Sequence, residues 1–80
     1  MDHDSILSGL TALFREIFDD DHLALTPETA ATDVLGWDSM NHITIVVETE
    51  RRFGVKFQTG EIEELKNVGD FIALIKKKTS

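Results

Sequence analysis

One short stretch, Leu35-Gly36-Trp37-Asp38-Ser39-Met40, contains the residue types best suited to chemistry. A glycine turn leads there to an acid and a serine at the expected start of a helix. The start of a helix exposes unpaired amides and a partial positive charge, which favour a phosphate attached at Ser39. A plain helix-capping role explains the same serine on spacing alone, and Asp38 can likewise act as an acid that favours the helix dipole.

The same stretch allows a second interpretation, a serine hydrolase. Ser39 and His42 lie three residues apart on one helix face, with Asp38 adjacent. A catalytic triad needs its acid behind the histidine and an oxyanion hole in a sheltered pocket, and the sequence here is not the Gly-x-Ser-x-Gly elbow. We therefore expect no enzymatic activity, and we expect His42 to be a surface residue.

Two acidic groups, Asp19-Asp20-Asp21-His22 and Glu61 with Glu63 and Glu64, contain possible metal ligands. Neither has the spacing of an EF-hand loop, with its glycine and terminal glutamate. The sequence therefore predicts solvated charge and no metal site.

These residues must be positioned by the elements around them, beginning with an amphipathic helix. Apolar residues recur every three or four places from Ile6 to Phe18, which predicts the first helix. Asp4 or Ser5 is the expected N-cap, and Asp19-Asp20-Asp21 opposes the dipole at the other end.

Residues 19–37 lack helical periodicity and predict a long connection. A structureless loop of this length is uncommon inside a compact domain, so we expect it to be ordered. The apolar side chains expected to hold it against the core are Leu23, Leu25, Val34, Leu35 and Trp37.

The second predicted helix begins at Asp38 or Ser39 as N-cap and ends at Gly54. Its run Ile43–Val47 is β-branched and has strand propensity, but capping signals at both ends favour a buried helix.

Glu61–Leu65 predicts one short helical turn, and Val68–Lys78 predicts the last helix, with Thr59 and Asn67 as candidate caps. Together these elements predict an all-α fold, a small four-helix bundle with a long first loop and a short third helix, as a single domain over residues 1–80.

Composition and charge narrow the function. The chain has 80 residues, no cysteine and a net charge of −7, which disfavours nucleic-acid binding and suits basic partner surfaces. The cationic end, Lys76-Lys77-Lys78, suits a solvated helix terminus. The acidic start and the lack of any long apolar run predict a cytoplasmic protein without membrane insertion.

The motif Gly36-Trp37-Asp38-Ser39-Met40 resembles the Gly-x-Asp-Ser-Leu motif of the acyl and peptidyl carrier family. Length, acidity, the long first loop and Phe53-Gly54-Val55 at the end of the second helix agree with that family. The resemblance implies a carrier with 4'-phosphopantetheine attached covalently to Ser39 from coenzyme A by a transferase that uses magnesium. It also implies that Asp38 helps the phosphopantetheinyl transferase to recognise the site.

The resemblance further implies that the second helix docks on acyl-loading and acyl-processing enzymes with basic surfaces. The residues expected to contact these partners are Met40, Val47, Glu48 and Glu50. Arg51 and Arg52 depart from the acidic pattern of fatty-acid-synthesis carriers. With Trp37 before the Asp-Ser pair, this favours a specialised pathway, such as polyketide, nonribosomal peptide or modified-lipid synthesis, over fatty acid synthesis.

An acyl cleft between the second and third helices is also implied, lined here by Thr49, Phe53, Phe57, Ile62 and Leu65. Ile62 is bulkier than the small residue usual at its position, so we expect a shallow cleft and short or polar cargo. The alternatives are an aminoacyl or peptidyl carrier and a helical interaction module without an arm. We expect the protein to be a monomer.

Overall fold

The computed structural model describes residues 2–79 and contains four α-helices. They are α1 (His3–Ile17), α2 (Ser39–Phe53), α3 (Thr59–Glu63) and α4 (Val68–Thr79), with a 3₁₀ turn at Ala31–Asp33 in the first loop. The predicted all-α bundle with a long first loop and a short third helix is confirmed. No helix within the described residues is long and apolar enough to cross a bilayer.

Helix α1 begins three residues before the predicted start at Ile6. Its N-cap is Asp2, whose carboxylate accepts a hydrogen bond from Ser5 N at 2.8 Å, so the expectation of Asp4 or Ser5 was wrong. The first turn is exposed and polar, and the apolar stripe therefore reveals only the buried part of the helix.

The core forms where α1, α2 and α4 meet. The apolar residues they bury are Ile6, Leu10, Leu13 and Phe14 from α1, Ile45 and Val46 from α2, and Val68, Phe71, Ile72 and Ile75 from α4. The β-branched run of α2 is helical as predicted, because burial of these two residues and the caps at both ends outweigh strand propensity. Gly54 ends α2 with φ 66°, the left-handed conformation typical of a C-terminal glycine.

The long first loop is packed against this core through three buried side chains, Leu25, Val34 and Trp37. The expectation for Leu35 was wrong, since its side chain is 99% exposed. Trp37 N donates to Val34 O at 3.1 Å and so closes a four-residue turn. Gly36 takes the third position with φ 93°, as a type II turn requires, and Leu35 at the second position points outward.

The middle of the loop is joined to the start of α4 by backbone hydrogen bonds. Val68 N donates to Thr29 O, and Gly69 N donates to Pro27 O, both at 2.8 Å. Asn67 Oδ1 accepts from the backbone amide three residues further on at 2.8 Å, which confirms Asn67 as the cap. Amides that lack a partner inside α4 are therefore satisfied by the loop and the cap.

Helix α3 begins at Thr59 and not at the predicted Glu61, and its N-cap position is Gln58. Glu61 Oε1 accepts from Gln58 N at 2.8 Å and lies 3.0 Å from Lys78 Nζ of α4. The Gln58 amide, followed by Lys78, lowers the pKa of the Glu61 carboxyl below its ordinary value. The Glu61 carboxylate therefore caps the start of α3 and also joins this helix to the end of α4.

Candidate functional site

The first turn of α2 leaves the Ser39 hydroxyl available. Asp38 is the N-cap, and its Oδ1 accepts from Asn41 N at 2.9 Å. Ser39 is the first helical residue and is exposed, and its hydroxyl makes no hydrogen bond with the described residues. The two residues that were both candidate caps thus have different positions, because Asp38 caps the helix and Ser39 faces solvent.

The turn before Ser39 is held by a second set of bonds. Asn41 Nδ2 donates to Gly36 O at 2.6 Å, and Asp38 N donates to the same carbonyl at 2.9 Å. The Asn41 side chain, in the first turn of α2, therefore fixes the glycine turn. This turn in its turn sets the direction of the backbone at Ser39.

Trp37 ties this turn to the core. Its side chain is 7% exposed, and its ring lies edge-on to Phe14, with centroids 5.2 Å apart and an interplanar angle of 83°. Its indole Nε1 donates to His42 Nδ1 at 3.1 Å. The tryptophan next to the Asp-Ser pair is therefore a buried anchor of the loop.

His42 is half-buried, and the prediction of a surface residue was wrong. An indole N–H only donates, so His42 Nδ1 accepts and Nε2 carries the proton. Nε2 lies 3.3 Å from Ile62 O of α3, the distance of a weak hydrogen bond. The two rings are nearly parallel, with centroids 6.1 Å apart and an interplanar angle of 16°, as the hydrogen bond between their edges favours. We call the chain of contacts from Trp37 through His42 to the Ile62 carbonyl the His42 bridge.

The His42 bridge has a consequence for the hydrolase interpretation. Both imidazole nitrogens are engaged away from Ser39, one by Trp37 and one by the Ile62 carbonyl. His42 has no nitrogen left to take a proton from the serine, and the carboxylate of Asp38 faces the amide of Asn41. Within residues 2–79, no three acidic or histidine side chains come together as a metal site.

A surface depression of about 540 Å³ opens beside Ser39. Trp37, Ile43 and Ile62 give it a largely apolar lining, with Ser39 and His42 at its α2 side. It lies between the start of α2 and the end of α3. A group attached to Ser39 would therefore have apolar surface within immediate reach.

The predicted cleft residues lie in different places. Thr49, Phe57 and Leu65 are buried, and Ile62 lines the depression beside Ser39. Phe53 is half-buried at the other end of α2, where its ring lies so close to Gly9 of α1 that a Cβ there would come within 2.7 Å of it. The structure thus brings Ile62 to the serine but places Phe53 against α1. These residues as an acyl cleft stay a prediction.

One buried polar atom in this group is unusual. The hydroxyl of Thr49 is fully buried and has no hydrogen-bond partner among the described residues. A buried hydroxyl without a partner typically costs about 1–3 kcal/mol. The Thr49 hydroxyl therefore lowers the stability of the fold, because it lies in an otherwise apolar interior between α2 and the elements packed on it.

The predicted partner residues on α2 differ in exposure and bonding. Met40 and Val47 are 81% and 48% exposed. Glu48 lies 3.6 Å from a guanidinium nitrogen of Arg51, whereas Glu50 Oε2 accepts from Phe57 N at 2.8 Å and so fixes the loop before α3. Glu48 is therefore the more available of the two acids.

Sequence reasoning missed two exposed apolar residues close to the serine. Ile43 is 53% exposed and lies one helical turn from both Met40 and Val47, so the three form one apolar stripe on α2. Leu35 adds a fourth apolar side chain from the turn before Ser39. The spacing of 40, 43 and 47 was the signal in the sequence that could have identified this stripe.

Comparisons with known proteins agree on one family. Residues 8–75 match the family model described as a phosphopantetheine attachment site. The chain is 39% identical over 72 residues to an acyl carrier protein of Myxococcus xanthus, covering 90% of this chain and 91% of that protein. It is 34% identical over 74 residues to a meromycolate extension acyl carrier protein of Mycolicibacterium smegmatis, covering 92% and 75%.

A solved structure gives the same result for the fold. The solution structure of a holo acyl carrier protein from Geobacter metallireducens superposes with a TM-score of 0.85 and 46% identity. The match covers 91% of this chain and 84% of that one. Sequence and backbone similarity therefore extend over nearly the same residues.

Proposed function

Since the chain belongs to the acyl carrier proteins of the phosphopantetheine-attachment family, we propose that Ser39 is the residue that bears the arm. Acyl carrier proteins carry acyl groups for other enzymes and are not themselves catalysts. The covalently attached 4'-phosphopantetheine supplies the thiol on which acyl groups are held as thioesters. This chain, which has no cysteine, provides no thiol of its own.

The observation that supports Ser39 is its unengaged hydroxyl at the first position of α2. Asp38 occupies the cap, so the serine is not needed for that role. The partial positive charge of the helix start favours a phosphate at this position, and the depression beside it offers apolar surface to the rest of the arm. The residues present therefore fit the group.

The test of this proposal is direct modification. We expect incubation with coenzyme A, magnesium and a broad-specificity phosphopantetheinyl transferase to add one phosphopantetheinyl group, measured by intact-protein mass spectrometry. Ser39→Ala should abolish the addition, whereas Ser8→Ala, at an exposed serine of α1, should leave it unchanged. An unmodified wild-type protein would refute the carrier function in this chain, and an adduct on Ser8 would refute the site.

We extend the proposal to the partners, which are the transferase and acyl-processing enzymes that dock on α2. Met40 and Val47 supply exposed apolar contacts, and Glu48 and Glu50 supply negative charge for basic surfaces. Charge of this kind accelerates encounter more than it strengthens the final complex.

For the pathway, we infer a specialised route such as polyketide, nonribosomal peptide or modified-lipid synthesis, with fatty acid synthesis as the alternative. Arg51 and Arg52 are exposed at the end of α2, so the docking helix has almost balanced charge. One relative is named for meromycolate extension, which supports a modified lipid. Loading assays with a panel of acyl and aminoacyl donors test this choice, and exclusive charging with the saturated acyl groups of fatty acid synthesis would contradict it.

For the cargo, we infer short or polar acyl groups carried largely outside the interior. Ile62 fills part of the space beside Ser39, and Thr49 would place a hydroxyl against a buried alkyl chain. A long saturated chain offers that hydroxyl no hydrogen bond, so its burial there gains little.

A further inference from the structure

Helix α3 is held in place in part by polar contacts of individual side chains. It has five residues, fewer than an isolated helix needs to be stable in water. Glu50 of α2 binds the amide of Phe57 just before α3, and Lys78 of α4 pairs with Glu61, the third residue of α3. The position of α3 therefore depends on a few individual side chains.

The contact nearest the serine is the His42 bridge. His42 lies one helical turn after Ser39, and its Nε2 meets the carbonyl of Ile62 in the last turn of α3. Trp37 fixes the other side of the imidazole through Nδ1, and Phe71 of α4 packs against it with centroids 6.0 Å apart. The ring is thus held from three directions and cannot turn away from α3 without losing these contacts.

We propose that the His42 bridge holds α3 closed against the Ser39 end of α2 and so keeps acyl chains out of the interior. His42 acts here as a positioning residue, since it contacts α3 and not the attached group. The inference rests on the proposed attachment at Ser39. According to this proposal, the two hydrogen bonds of His42 keep the cleft closed together with the bulk of Ile62.

The route of an acyl chain explains why this contact matters. A chain that starts at Ser39 first meets the depression lined by Ile43 and Ile62, and His42 borders that depression. To reach buried residues such as Leu65, it must separate α3 from α2 at this end. That separation breaks the bond between His42 and the Ile62 carbonyl.

The experiment compares variants that remove either the bonds or the ring. His42→Phe keeps a ring that can pack between Trp37 and Phe71 but removes both hydrogen bonds. His42→Gln removes the ring but keeps an acceptor and a donor separated by one carbon atom, as in the imidazole. His42→Leu is a second variant without hydrogen bonds, and Thr44→Ala, at an exposed position of α2, is the control.

Each variant is loaded with an octanoyl-pantetheine arm, and the rate at which hydroxylamine cleaves the thioester is measured. We expect the wild-type rate to be close to that of free octanoyl-pantetheine. An ordinary hydrogen bond shifts an equilibrium roughly two- to tenfold, so cleavage should slow by at most about that factor in His42→Phe and His42→Leu. His42→Gln should return to the wild-type rate.

A spectroscopic measurement accompanies the rates. The indole N–H resonance of Trp37, the only tryptophan, should shift in His42→Phe and stay near its wild-type position in His42→Gln. Amide shifts between holo and octanoyl forms should spread into α3 only in the variants without hydrogen bonds. Circular dichroism shows which variants are folded.

Several results would overturn the inference. Folded His42→Phe and His42→Leu proteins cleaved at the wild-type rate would show that the bonds do not control access. A folded His42→Gln protein that behaves like His42→Phe would show that a donor and an acceptor at this position do not hold α3 closed, and it would refute the assignment to the hydrogen bonds. Mass spectrometry of the wild type separates these outcomes from failure of the proposed function, which would appear as absence of any arm on Ser39.

Discussion

Asp38 offers the sharpest test of how structure and recognition are divided at the attachment site. Its Oδ1 caps α2 by accepting from Asn41 N at 2.9 Å, and the resemblance assigns its charge a further role in recognition by the transferase. Asp38→Ala removes both the cap and the charge. Asp38→Asn removes only the charge, because asparagine caps helices about as well as aspartate.

The expected magnitudes follow from the cap. Loss of an N-cap side chain costs about 1 kcal/mol, with a range of roughly 0.5–2 kcal/mol. In a domain of this size, about 1 kcal/mol lowers the melting temperature by roughly 4–8 °C. Asp38→Asn forfeits only the interaction of the charge with the helix dipole, about 0.3–1 kcal/mol, so it should melt closer to the wild type.

The assay pairs thermal unfolding, followed by circular dichroism, with the kcat/KM of phosphopantetheinylation at a temperature where all three proteins are folded. We expect both variants to be modified more slowly than the wild type, to a similar extent, although only Asp38→Ala is clearly destabilised. A wild-type rate for Asp38→Asn would refute the recognition role. A wild-type melting temperature for Asp38→Ala would refute the capping argument.

Three further predictions concern charge and space around α2 and α3. Glu48→Lys should lower kcat/KM with a partner enzyme, more at low salt than at high, whereas Glu50→Gln, which retains an acceptor for its loop bond, should have a smaller effect; equal rates at low salt would exclude α2 charge from docking. Ile62→Ala should admit an octanoyl chain, seen as octanoyl-dependent amide shifts across α3, and an unchanged spectrum would count against its steric role. Lys78→Ala should raise the lowered pKa of Glu61, measured by carboxyl-carbon NMR titration. In the wild type, the Glu61 carboxylate stabilises the fold at pH values above its ordinary pKa. This stabilisation is lost as the pH falls through the lowered pKa of Glu61.

Local signals predicted the ends of α2 well. Gly54 has the left-handed backbone that ends a helix, and Asp38 has a side chain that can cap one, so each acts through neighbours in the sequence. The true start of α1 at His3, with Asp2 as its N-cap, was missed because its first turn is solvated and adds nothing to the apolar stripe. Periodicity reports burial, and a helix extends beyond its buried face.

The errors near the serine have different physical origins. Leu35 was expected in the core because it is apolar, but the turn closed by Val34 and Trp37 directs it outward, and Gly36 was a local sign of that turn. His42 carries no comparable local sign. Its partners are an indole five residues back and a carbonyl twenty residues ahead, and only the packed fold brings them together.

Gly69 illustrates how a position without chemistry can be among the least replaceable. The carbonyl oxygen of Pro27 lies 2.8 Å from where a Cβ on residue 69 would be, and that oxygen belongs to backbone that cannot swing aside as a side chain can. Even alanine would push the loop away from α4 and strain the hydrogen bond that the residue 69 amide donates to Pro27 O. In a library of single substitutions selected only for arm attachment at Ser39, we expect position 69 to return glycine almost exclusively, although it is remote in sequence from the serine and bears no functional group.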